Sequence, residues 1–267
     1  MTIKSVFIKS FFLLFLPCLT FPHSHSLQLI KSEGNTPAER ISVPPEFERI
    51  TAEKGSFTDY LRNYPFKEAG SLMLQTDCPQ STQSVIRLYS EYLLKTGNED
   101  KISFHLTNGE ICSWSEWLKN SKFKRNERTE IAGNLKKWTK YENPQDKYEI
   151  YNSYLKNVFA NTSPLSIMEY ESRQISLSEA IPGDILFDLD QNGHICLIID
   201  MAVNKKNGEK AFLLAQNSST SRKFHIIKNP KRENDPWFHE EDFILPLKTP
   251  EHTFPRESFR HLTYLEF

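Results

Sequence analysis

Between Ile185 and Ile227 the chain is assembled from short runs of apolar and β-branched residues, and this stretch limits the fold more than any other. Ile185-Leu186-Phe187, Ile195 to Ile199, Ala211 to Ala215 and Phe224 to Ile227 are each too short for a helix that buries one face. Asn192-Gly193, Asn207-Gly208 and a polar Asn/Ser/Thr segment separate them. Asn-Gly pairs take up the positive φ that tight hairpin turns need, so the pattern predicts a meander of antiparallel strands.

The preceding part has a different period. Val85, Ile86, Leu88, Tyr89, Tyr92 and Leu93 recur at helical spacing, which predicts a helix from Pro79 to Lys95 ended by Gly97-Asn98. Ser56 to Tyr64, Ser113 to Leu118 and Lys147 to Phe159 are further helix candidates, the last with Tyr148, Tyr151, Tyr154, Leu155 and Val158 inward. Gly70 to Leu74 and Ile102 to Leu106 read as short strands, the second ahead of an Asn108-Gly109 turn. Helices followed by a sheet argue for an α+β fold, N-terminal helices packed on a C-terminal antiparallel β-sheet. No repeat or Pro/Gly-rich linker interrupts the chain, so residues 48–267 are expected to form a single globular domain. Residues 27–47, polar and carrying Pro37, Pro44 and Pro45, read as a flexible lead-in.

The first 26 residues follow another logic. Lys4 and Lys9 precede the apolar run Phe11 to Leu16, no acidic residue occurs, and Ser24-His25-Ser26 offers small residues at a cleavage site. That order is the layout of a signal peptide, so the protein is expected to be exported, to the periplasm or beyond. Cys18 at the end of the run raises lipidation as an alternative, although Pro17 stands where a small residue is required. No later run is long enough to cross a bilayer, so no membrane span is expected in the mature chain. Loss of Lys4 and Lys9 moves the formal net charge from −1 to −3, and without a basic stripe nucleic acid is not an expected partner. Cys78, Cys112 and Cys196 remain, an odd number that leaves at least one thiol unpaired. No Cys-x-x-Cys spacing occurs, so neither a structural metal nor a cofactor is expected. Cys112 and Cys196 sit in apolar runs and read as small core residues. His239, His252 and His261 near Glu240, Glu241 and Asp242 read as polar loop residues, and Trp114, Trp117 and Trp138 as packing residues.

Three places could carry chemistry. Asp77-Cys78-Pro79-Gln80-Ser81 opens the clearest helix, and Pro79 at its first position would put Cys78 near the N-cap. The positive helix end lowers the pKa of a thiol placed there and favours the nucleophilic thiolate. His194 opens a strand after the Asn-Gly turn, at the rim of the sheet, where an imidazole serves as a general base. Gln216, ending the next strand, could orient that imidazole. A cysteine at a helix start, a histidine opening a strand and a polar residue on the following strand make up the layout of the papain-like superfamily. The segment IPGDILFD…NGHICLIIDMA is similar to the Pro-Gly-Asp…Gly-His stretch of the NlpC/P60 and CHAP cell-wall amidases.

A longer resemblance runs from about Val43 to the C-terminus. The strings VPPEFERI, GSFTDYLRNYPFK, SVIRLYSEYLL, ISFHLTNGE, YLKNVFANTSPLSI, GHICLIIDMAVNKKNGEKAFLLAQNSS, HIIKNP and DPWF resemble the bacterial domain-of-unknown-function family 4846. The resemblance implies an exported bacterial protein and brings no established activity. His194 and Gln216 match the family pattern, whereas Ser81 stands where that pattern has cysteine, so the thiol is lost or moved to Cys78. Two functions follow as expectations. One is a cysteine amidase or peptidase acting on envelope peptides or peptidoglycan fragments, with Cys78 or Ser81 as nucleophile, His194 as base and Gln216 as orienter. The other is an inactive papain-like domain that binds an envelope peptide, glycan or protein partner.

Overall fold

The computed structural model describes residues 28–68, 71–120, 144–188 and 193–266; the expected signal peptide, Cys18 and Trp138 lie outside the described residues. A short helix, α1 (Pro37–Arg40), and a strand, β1 (Phe47–Arg49), come first. In the stretch read as a lead-in, Leu29 and Ile41 are buried, and Trp237 Nε1 donates to Ser42 O at 2.9 Å. Ser56 starts α2 (Phe57–Arg62), its Oγ accepting from Asp59 N at 3.2 Å as an N-cap does.

The predicted long helix, α3 (Ser81–Lys95), buries Val85, Ile86, Leu88, Tyr89 and Leu93 and leaves Tyr92 half-buried. It starts later than predicted. Gln80 is the N-cap and Asp77 turns the chain at φ 51°, so Cys78 and Pro79 precede the helix instead of opening it. After Gly97, β2 (Ser103–His105) pairs with β3 (Ile111–Ser113) across the Asn108-Gly109 turn. Residues 114–120 are helical. Then come α4 (Pro144–Asn161) and α5 (Pro164–Tyr170), the second begun by a Ser163/Ser166 capping box. Tyr151, Tyr154, Leu155 and Val158 of α4 are buried as predicted, whereas Tyr148 is 60 % exposed on its first turns.

The apolar runs of the last third form consecutive antiparallel neighbours: β5 (Ile185–Asp188), β6 (His194–Asn204), β7 (Lys210–Asn217) and β8 (Phe224–Ile226). The sheet continues past β5 through β12 (Phe259–Leu262) to β4 (Ser172–Gln174), while β1 pairs with β6, and β9 (Trp237–His239) with β7. A small hairpin, β10 (Leu247–Lys248) with β11 (Thr253–Phe254), precedes β12. The chain is thus α+β with an antiparallel sheet. Where the Gly70–Leu74 strand was expected there are isolated bridges, Phe66 with Leu74 and Met73 with His225.

Strand alternation sends side chains to two cores. Ile195, Leu197, Ile199, Leu213 and Ala215 join Val85, Leu88 and Tyr89 of α3 in one cluster. Cys196, Ile198, Phe212 and Leu214 join Phe243, Phe254 and Phe259 in the other. Two glycines hold the strands near their partners. At Gly183 (φ 102°) a Cβ would stand 2.9 Å from the Tyr89 hydroxyl, which donates to Gly183 O at 2.8 Å. At Gly193 (φ 76°) it would stand 2.4 Å from Pro164. Both conformations and both approaches require glycine. Asp200, fully buried in β6, accepts from Arg49 at 2.6 Å and Arg62 at 2.7 Å, tying β1 and α2 to the sheet. A buried carboxylate is tolerable because it is paired.

Candidate functional site

His194 is the first residue of β6, and Gln216 is the second-last of β7. Both belong by alternation to the face that carries Cys196, Ile198, Phe212 and Leu214. His194 Nε2 stands 3.1 Å from Gln216 Oε1. The amide oxygen only accepts, so Nε2 carries the proton and donates, and Nδ1 keeps the lone pair. Burial pushes the imidazole pKa down; the Gln216 contact opposes this and the neighbouring His252 adds to it. Near neutral pH the ring is therefore neutral, the state in which a histidine accepts a proton or a hydrogen bond.

His252 stacks on His194 with ring centroids 4.5 Å apart, and its Nε2 lies 2.8 Å from Asp188 Oδ2 at the end of β5. Phe254 packs edge-on against His252 at 4.8 Å and closes the cluster. Sequence reasoning missed His252 and Asp188 as neighbours of His194. They lie 64 residues apart in the chain, and only the placement of the β10–β11 hairpin brings them together. Gln216 is fully buried, and its Nε2 has no hydrogen-bond partner among the described residues.

Ser81, the first residue of α3, approaches from the helix side. Its Oγ accepts the backbone N–H of Asn217 at 2.8 Å. Asn217 then knots the helix start to the strand: its Nδ2 donates to Cys78 O at 2.7 Å and to Arg222 O at 3.0 Å. Its Oδ1 accepts from Ser84 Oγ at 3.0 Å, and Ser84 in turn meets Thr76 Oγ1 at 3.1 Å. Consecutive residues of β7 thus serve two neighbourhoods, Gln216 holding the imidazole and Asn217 holding Ser81. The sequence offered one signal for Asn217, its place beside Gln216 on a strand end.

Cys78 is turned elsewhere. Its Sγ donates to Thr76 O at 3.3 Å and accepts from Arg87 Nε at 3.3 Å. Burial raises its pKa, and the Arg87 guanidinium only partly offsets this. A thiol lowered by a helix start was expected; the residue lies outside the helix and is buried, so the opposite direction holds. His194, Gln216 and Ser81 are therefore linked through β7, while the Cys78 sulfur faces Arg87.

The remaining candidates disperse. His239 pairs with Asp235 at 3.1 Å, and His261 with Asp184 at 2.5 Å, each in its own surroundings. Among the described residues no group of three His, Cys, Asp or Glu side chains could hold a metal ion. Cys196 is fully buried, Cys112 half-buried, Trp114 buried and Trp117 half-buried. No helix among the described residues is long and apolar enough to cross a membrane.

A family model described as domain of unknown function (4846) matches residues 72–261, a span that includes Cys78, Ser81, His194 and Gln216. Neither the curated proteins nor the solved structures searched hold a match to the chain.

Proposed function

The chain belongs to the domain-of-unknown-function family 4846, and from that membership and this site we propose an exported, papain-like domain that binds an envelope peptide without cleaving it. The observation that carries the reading is the hydrogen bond from Asn217 N to Ser81 Oγ at 2.8 Å. The side chain at the position expected for a nucleophile is engaged in joining α3 to β7. A serine also lacks the acidity of a thiol, and activating it requires a base in hydrogen-bond contact. The Cys78 thiol makes no substitute, because burial keeps it protonated and its partners are Thr76 and Arg87.

What persists suits recognition of a peptide. The unprotonated Nδ1 of half-buried His194 accepts, while buried Gln216 holds the ring in place. A peptide group presents the matching N–H.

The test incubates the purified protein with a peptidoglycan stem pentapeptide, following both cleavage and binding. Saturable binding without turnover is expected, with His194→Ala weakening it about tenfold, or about 1.4 kcal/mol. Turnover that disappears in Cys78→Ala or in Ser81→Ala would instead establish the cysteine or serine hydrolase and sink the proposal. Ser81→Cys sharpens the result. A gain of peptide cleavage in that variant is the outcome expected of a papain-like site that lacks only its thiol.

A further inference from the structure

A wide concavity lies away from the His194 site, along α2 and α3. It encloses about 710 Å³, within the 300–1,000 Å³ range of small-molecule sites. Tyr60, Tyr64, Tyr92 and Tyr148 line it. Three of them brace one another: Phe57 stacks on Tyr60 at 6.0 Å, and Tyr64 and Tyr92 each approach Tyr60 at 5.5 Å. Rigid tyrosines give contact area at little entropic cost, an apolar face with a polar tip.

The polar groups in the groove are as informative as the rings. Lys54, Arg87 and Lys95 face Asp59, Asp77 and Glu91, so the lining is balanced in charge. Glu91 is the hub, accepting from Tyr64 Oη at 3.1 Å and from Arg87 at 3.2 Å. The cavity beside Cys78, about 220 Å³, has Lys67, Arg222 and Lys223 against Asp77 alone and so favours anions. The tyrosine groove favours neither sign. None of its lining residues lies in a strand, so the groove offers no strand edge on which a peptide could add by its backbone. Flat aromatic faces beside planar carboxylate, guanidinium and amide groups match one ligand chemistry well: a pyranose ring has C–H groups on its faces and hydroxyls around its rim.

We propose that the groove formed by Tyr60, Tyr64, Tyr92 and Tyr148 around Glu91 and Arg87 binds a neutral oligosaccharide of hexose or N-acetylhexosamine units. The sugar rings stack on Tyr92 and Tyr148, the more open of the four, while buried Tyr64 and Phe57-stacked Tyr60 form the floor, and the hydroxyls pair with Asn63, Gln75 and the charged side chains. This site stands whether or not the His194 cluster binds or cleaves a peptide.

Isothermal titration of the full chain tests it, with tetramers of N-acetylglucosamine, glucose and mannose as probes. The deacetylated, cationic glucosamine tetramer and tetra-alanine are the controls. At least one neutral tetramer is expected to bind saturably with a dissociation constant below about 1 mM. Tyr148→Ala, at a site 60 % exposed, should weaken that binding about fivefold with an unchanged melting temperature. Tyr92→Ala should weaken it further, with folding checked in the same way. Absence of saturable binding by all three neutral tetramers overturns the proposal. So does undiminished affinity in both variants, or tighter binding of tetra-alanine or the cationic tetramer.

Discussion

The two sides of the β7 strand end are finished in opposite ways. Toward α3, Asn217, Ser81, Ser84 and Thr76 form a neutral network whose hydrogen bonds run between named partners. Toward the β10–β11 hairpin, Gln216 belongs to a cluster of two imidazoles and a carboxylate, and one buried amide donor lacks a partner among the described residues. A saturated neutral network adds rigidity and is insensitive to pH. A titratable cluster with an unmade hydrogen bond costs stability and is the kind of defect that persists at ligand sites. On the proposed reading, Asn217 serves folding and Gln216 serves recognition by holding the imidazole, although the two are adjacent.

The largest effect expected from this contrast is at Asn217. Asn217→Ala removes the side-chain partner of Cys78 O and of Arg222 O and leaves Ser84 Oγ with Thr76 Oγ1 alone. Each buried polar group left unmatched costs about 1–3 kcal/mol, and some will find water, so a net loss of about 3 kcal/mol is expected. Urea unfolding reads it directly. A loss under about 1 kcal/mol would show that the network contributes little and would dissolve the comparison. Gln216→Ala, which removes a single contact to His194 together with an unsatisfied amide, should cost much less.

Much of the fold was legible because periodicity is a local property. The β5 to β8 meander and the buried face of α3 follow from the spacing of apolar residues and the Asn-Gly turns, and the structure has both. The site was legible only in part. That His194 opens a strand and Gln216 ends the next could be read from the chain, and their 3.1 Å contact follows from pairing those strands. The direction of Cys78 could not be read. Proline after cysteine suggested a helix start, but the turn at Asp77 and the attraction of Arg87 nine residues on place the sulfur outside the helix. His252 was equally invisible, because a hairpin more than fifty residues after His194 delivers it.

The next effect is in pH dependence and distinguishes the two sides by sign. The His194 pKa is lowered in the folded chain, so below the ordinary imidazole range of about 6.5 the unfolded chain takes up a proton that the folded one resists. The stability tied to this group is complete above that range and is lost as pH falls toward the folded pKa. His194→Gln should therefore flatten part of the loss of stability between about pH 7.5 and pH 5, measured by urea unfolding at each pH. Ser81→Ala should lower stability by the same amount at both pH values, since no titratable group is removed. A Ser81→Ala effect that grows as pH falls would mean that the hydroxyl is coupled to the imidazole, and the separation of the two sides would fail.

The smallest effect is a predicted zero. If Cys78 belongs with Arg87 and not with His194, its reactivity should ignore the imidazole. Alkylation of Cys78 by iodoacetamide should be slow at pH 7 and rise only above the free-thiol range of about 8.5, because burial raises the thiol pKa. Cys18, Cys112 and Cys196 need to be replaced by alanine first, so that one thiol is followed; their removal should leave the Cys78 profile in place. In that background His194→Ala should leave the pH profile unmoved, whereas Arg87→Ala should shift it further upward by removing the nearby positive charge. Groups without contact are expected to act additively, within about 0.5 kcal/mol. A profile that shifts with His194→Ala and not with Arg87→Ala would reverse the assignment. It would put the thiol on the imidazole side of the strand end and restore it as a nucleophile.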